Sequence, residues 1–98
     1  MTPEAKVLKK LTDYLKKLKA AGEPVWHTKN HGSQYAKAGV PDLAIVYRGR
    51  AVWVEVKAPG GQPSEIQKHQ MGLLDKAGAI VGVVRTVEEL QELLARVE

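Results

Sequence analysis

The chain has 98 residues, 44% hydrophobic and 27% charged, with no cysteine. This composition describes a globular chain rather than a disordered one, and the missing thiols exclude disulfides, a cysteine nucleophile and thiolate zinc sites, which fits a cytoplasmic setting. No apolar run is long enough to span a bilayer, so no membrane partner is expected, while a net charge of +4 suits a polyanionic one.

Thr2-Pro3 opens a first helix, with Thr2 as cap and Pro3 at the first helical position. Val7, Leu8, Leu11, Tyr14, Leu15 and Leu18 recur at helical spacing, and Gly22 ends the run. Pro24 to Lys29 reads as a short strand, and the Gly-rich, polar stretch from His31 to Pro41 as a loop. Leu43 to Tyr47 and Ala51 to Lys57 read as strands joined by a tight turn at Gly49-Arg50. After Pro59-Gly60-Gly61, Ser64 to Ala77 reads as a second helix closed by Gly78, and Ile80 to Arg85 as an apolar strand. Thr86-Val87-Glu88-Glu89 is a capping box that opens a third helix. The expected fold is α/β: one domain over residues 1–98, with an αβββαβ core plus a C-terminal helix. The strands flanking the second helix should be parallel and the earlier ones antiparallel, in a mixed sheet with helices on its faces.

The hairpin is where chemistry gathers. A Gly49-Arg50 loop would set Ala44 opposite Glu55 and Asp42 opposite Lys57. Alternation then gives one apolar face, Leu43, Ile45, Tyr47, Val52, Val54 and Val56, and a second face carrying Asp42, Ala44, Trp53, Glu55 and Lys57. Two carboxylates and the Val56 carbonyl form an oxygen donor set for a hard cation such as Mg²⁺, and Lys57 would orient water or stabilise developing charge. An ordinary cross-strand salt bridge accounts for the same spacing, and spacing alone does not choose between them.

Gly39-Val40-Pro41-Asp42, the hairpin and Glu55-Val56-Lys57 resemble the PD-(D/E)xK nuclease signature. Ala58-Pro59-Gly60 and Ser64-Glu65-Ile66-Gln67 narrow the resemblance to the VRR-NUC family, from Glu4 to the strand and helix after Gly78. The resemblance implies a restriction-endonuclease-like fold and phosphodiester cleavage dependent on Mg²⁺ or Mn²⁺.

Glu4 falls within the apolar stripe of the first helix. It either complements the helix dipole or, as the first-helix Glu does in families of this type, reaches the metal pocket. Gln67 either caps the second helix as part of Ser64-x-x-Gln67 or serves as the family's site glutamine. Asp42, Glu55, Lys57, Gln67 and Glu4 are therefore the candidate catalytic residues, with Asp42, Glu55 and Val56 as metal ligands. Lys6, Lys9 and Lys10 on the first helix, with Lys29, His31, Ser33, Gln34 and Lys37, are candidates for nucleic-acid contact. The leading reading is a structure-specific DNA endonuclease that works as a homodimer, as junction resolvases do, with the third helix and exposed parts of the first as candidate interfaces. The alternatives are a flap-type nuclease and a non-catalytic nucleic-acid-binding module.

Overall fold

The computed structural model describes residues 1–30 and 37–97. Helix α1 spans Pro3–Ala20, and Thr2 Oγ1 accepts from the Ala5 N–H at 3.0 Å, as the Thr-Pro start requires. Strands β1 (Val25–Lys29), β2 (Leu43–Tyr47) and β3 (Arg50–Val56) follow, then α2 (Glu65–Lys76), β4 (Ile80–Val84) and α3 (Val87–Leu94). The sheet order is β1-β2-β3-β4, with β1–β2 and β2–β3 antiparallel and β3–β4 parallel. Element order and strand directions match the sequence expectation.

The β2–β3 turn does not fall where the sequence placed it. Its central residues are Arg48 and Gly49, at φ 50° and 80°, the two left-handed positions of a type I′ turn. Gly belongs at the second of these positions, so the turn sits one residue earlier than Gly49-Arg50. A left-handed arginine costs roughly 1–2 kcal/mol. Its guanidinium packs 5.0 Å from the Tyr47 ring centroid and pairs with Glu23 at 3.1 Å. Tyr47 now faces Arg50 and Leu43 faces Val54, a register slip of two residues. An even slip leaves every side chain on its expected face.

One face of the sheet is the core. Leu43, Ile45, Val52, Val54, Val56, Ile80 and Val84 are buried against Val7, Leu8, Leu11 and Leu15 of α1 and Leu90, Leu93 and Leu94 of α3. Helix α2 contributes no buried residue to this core and packs on β4. Its Ile66 and Leu73 are about half exposed, as are Trp26 on β1 and Val46 on β2. This arrangement brings the N-terminus of α1 and the ends of β2 and β3 to one edge of the molecule. Among the described residues, no helix is long and apolar enough to cross a membrane.

Candidate metal centre

Asp42 immediately precedes β2 and is fixed from two sides. Its Oδ2 accepts from the Val56 N–H at 3.0 Å, and its carbonyl accepts from the Asn30 N–H at 2.7 Å. Continuing the observed ladder by one pair sets Asp42 across from Glu55, not Lys57 as the sequence suggested. The Lys57 N–H turns to the other neighbour and donates to the Val84 carbonyl at 3.1 Å. The corrected register therefore places the two acids directly opposite each other.

Glu4, from the first turn of α1, supplies a third carboxylate. One oxygen from each of Glu4, Asp42 and Glu55 lies within 4.8 Å of the others. The Lys57 Nζ sits 3.3 Å from Glu55 Oε2 and 3.9 Å from Glu4 Oε1. Val56 lines the same cavity as Glu4 and Asp42.

Glu55 is the most informative residue of the group. It is fully buried, and among the described residues neither of its carboxylate oxygens accepts a hydrogen bond. A buried, unsatisfied carboxylate is costly. Burial first, and then the nearby Asp42 charge, push its pKa up to about 7, with Lys57 pulling it back. Three crowded carboxylates, one of them buried and accepting no hydrogen bond among the described residues, fit a hard divalent cation, which would satisfy that group and remove their mutual repulsion.

Gln67 is engaged elsewhere. Its Oε1 accepts from the Ser64 N–H at 2.8 Å, and its own N–H donates to Ser64 Oγ at 3.3 Å, a complete capping box. The helix-capping explanation accounts for its side chain, and it makes no hydrogen bond to the acidic trio among those described.

Gly39 holds the approach to Asp42. It has φ 81°, and a Cβ built on it would lie 2.7 Å from the Ile66 carbonyl oxygen in the first turn of α2. Any side chain there meets backbone that cannot swing aside. Gly39→Ala should therefore destabilise the protein by more than about 1 kcal/mol. It should also weaken binding of any divalent cation at the acidic trio, because the displaced loop carries Asp42. Thermal melts and calorimetric Mn²⁺ titration check both outcomes.

A cavity of about 700 Å³ runs from Glu4 and Asp42 along α1. Glu4, Leu8, Thr12 and Lys16 line it at i+4 spacing, joined by Lys9 and Asp13 from the same helix and Lys29 from β1. Lys9 is paired with Asp13 at 2.8 Å. Lys6 and Lys10 are exposed and do not line the cavity, and Lys37 is exposed. His31, Ser33 and Gln34 lie outside the described residues. No sequence pattern singles out Thr12 or Asp13, which enter the cavity wall only through the packing of α1 on the sheet edge.

No family model matches the sequence, and no curated protein matches it. Among solved structures, a chain described as a "VRR_NUC domain" superposes with a TM-score of 0.77 at 24% sequence identity, covering 100% of this chain and 100% of that one. The architecture expected from the sequence motifs is thus the one observed: the chain has the VRR-NUC fold.

Proposed function

We propose that the chain is a metal-dependent DNA nuclease that hydrolyses phosphodiester bonds, acting as one domain over residues 1–98. The observation that carries this reading is Glu55: buried, accepting no hydrogen bond among the described residues, and grouped with Asp42, Glu4 and the Lys57 ammonium. Asp42 and Glu55, with Glu4 and the Val56 carbonyl, would hold Mg²⁺ or Mn²⁺. The ion supplies Lewis acidity toward the phosphodiester and lowers the pKa of water. Lys57 places a positive charge beside the carboxylates, where it can orient the attacking water or stabilise charge on the phosphoryl oxygens. Asp42, tied to the Val56 N–H, is held in place before substrate arrives. Gln67 acts at the start of α2 by capping the helix through Ser64.

The substrate class proposed is branched DNA, cut endonucleolytically in the manner of a junction resolvase, with flap cleavage as the alternative. A panel of labelled four-way junctions, flaps, duplexes and single strands separates these. Paired symmetric cuts in the junction support the first, cuts confined to flaps support the second, and binding without cleavage of any member would leave only a nucleic-acid-binding module.

The cavity wall divides the lysines of α1. Lys9 and Lys16, with Lys29 of β1, line the path leading to the carboxylates, whereas Lys6 and Lys10 do not. Removing a single lysine–phosphate interaction should reduce the salt slope of DNA binding by about one unit. Replacing Lys9, Lys16 and Lys29 by Ala should flatten that slope more than replacing Lys6 and Lys10. Equal slopes for wild type and both variants would show that all five lysines are merely solvated.

A homodimer is part of the proposal, since two cuts in a four-way junction need two sites related by its symmetry. The sequence offered α3 and the exposed parts of α1 as interfaces; in α3 the apolar side chains Leu90, Leu93 and Leu94 are buried in the core, which leaves its outer face polar. Among the described residues, Trp26, Val46, Ile66 and Leu73 are the large apolar side chains left exposed within strands and helices, and they support β1, β2 and α2 as the covered face. Sedimentation at micromolar concentration should give a dimer. A monomer that still makes paired cuts would contradict it.

A further inference from the structure

Arg85 stands just beyond β4 and bridges to a segment distant in sequence. Its Nη2 donates to the Gly61 carbonyl at 2.7 Å, a half-buried hydrogen bond. Gly61 closes a tight turn in which its N–H donates to the Ala58 carbonyl at 2.9 Å. That turn begins one residue after Lys57, whose own N–H is held by the carbonyl of Val84, the residue before Arg85. The segment from Lys57 to Gly61 is thus fastened at both ends to one short stretch of chain, Val84-Arg85. The stretch is braced in turn, because the Arg85 N–H donates to Glu89 Oε1 at 2.8 Å, at the start of α3.

We propose that Arg85 is a positioning residue for Lys57. It holds the Ala58–Gly61 turn against the end of β4, and the turn fixes the backbone from which the Lys57 side chain reaches Glu55 and Glu4. Lys57 is the last residue paired to the sheet before the chain leaves it. Without the fastening at Gly61, the segment is held only through the Lys57 N–H bond to Val84, and the ammonium 3.3 Å from Glu55 Oε2 is less firmly placed. A guanidinium suits this task because its planar fork directs a short bond at a carbonyl with little loss of rotamer freedom. Arg85 itself touches none of the acidic trio among the described residues.

The role rests on the nuclease reading for its kinetic consequence but not for its structural one. The test compares wild type, Arg85→Met and Arg85→Lys in two measurements. Amide hydrogen exchange on the metal-free protein reads the turn directly. Arg85→Met should speed exchange at Gly61 by roughly tenfold, leaving the β1–β2 amides unchanged, with Arg85→Lys in between because an ammonium can still donate to the carbonyl. Kinetics on the best-cleaved DNA read the consequence. Arg85→Met should lower kcat by about 10–100-fold, with KM changed less than about threefold, and Arg85→Lys should recover part of the loss. Unchanged exchange at Gly61 would overturn the proposal. So would a loosened turn with unchanged kcat, or a loss confined to KM, which would mark Arg85 as a DNA contact. If Arg85→Met fails to fold, Arg85→Lys carries the same comparisons. A wild-type protein that cleaves nothing would count against the nuclease reading alone, and the exchange measurement would still decide whether Arg85 holds the turn.

Discussion

Glu55→Gln should make the metal-free protein more stable at pH 8 while abolishing cleavage. Glu55 is fully buried, its oxygens accept no hydrogen bond among the described residues, and burial followed by the Asp42 charge raises its pKa from 4.5 to about 7. The folded-state value lies above the unfolded one. The stability contributed by this group is therefore fully present below about 4.5 and is lost as pH rises through about 7. At pH 8 the ionised carboxylate should cost on the order of 1–3 kcal/mol, and a neutral amide of the same shape avoids most of that. Melting curves without metal should fall from pH 5 to pH 8 for wild type and stay flatter for Glu55→Gln. Adding Mg²⁺ or Mn²⁺ at pH 8 should restore wild type and do little for the variant, because the ion competes with a proton for the same oxygens. A variant that melts below wild type at pH 8 without metal would show that the buried charge is already satisfied.

Asp42→Asn and Lys57→Ala should each reduce turnover by at least about 10³-fold with the fold retained. They should fail differently. Asp42→Asn keeps an oxygen able to accept from the Val56 N–H but loses a charge from the trio, so Mn²⁺ affinity should drop along with activity. Lys57→Ala removes the ammonium beside Glu55 and Glu4, which lessens the competition for those oxygens. Metal affinity should then hold or rise while kcat collapses. Calorimetric titration of Mn²⁺ beside single-turnover cleavage distinguishes the two. Equal loss of metal binding in both would remove the chemical role assigned to Lys57.

Much of this arrangement was readable from the residues because strand alternation survives errors of position. The turn lies at Arg48-Gly49 instead of Gly49-Arg50, yet an even slip kept Asp42 and Glu55 on one face and the branched apolar residues on the other. What it changed was the partner across the ladder. The preference of type I′ turns for Gly at the second central position carried that signal. The exposed stripe of α2 was less legible. Ile66 and Leu73 recur at helical spacing, but periodicity marks an apolar face without saying whether a layer covers it. Gln67 had two explanations, and the hydrogen bonds to Ser64 supply the local one. Arg85 had no local signal at all, since its partner Gly61 lies 24 residues away and is engaged through its backbone.

The most direct test of the central claim is cleavage of the best DNA substrate by wild-type protein with Mg²⁺, with Mn²⁺ and with chelator, at matched ionic strength. Phosphodiester cleavage should appear with either ion, vanish in chelator and return when the ion is restored. It should follow the same ion concentration range that stabilises the protein at pH 8. Undiminished cleavage in chelator, or ion binding without cleavage of any DNA in the panel, would contradict the assignment of Glu4, Asp42, Glu55 and Lys57 as a metal-dependent nuclease centre.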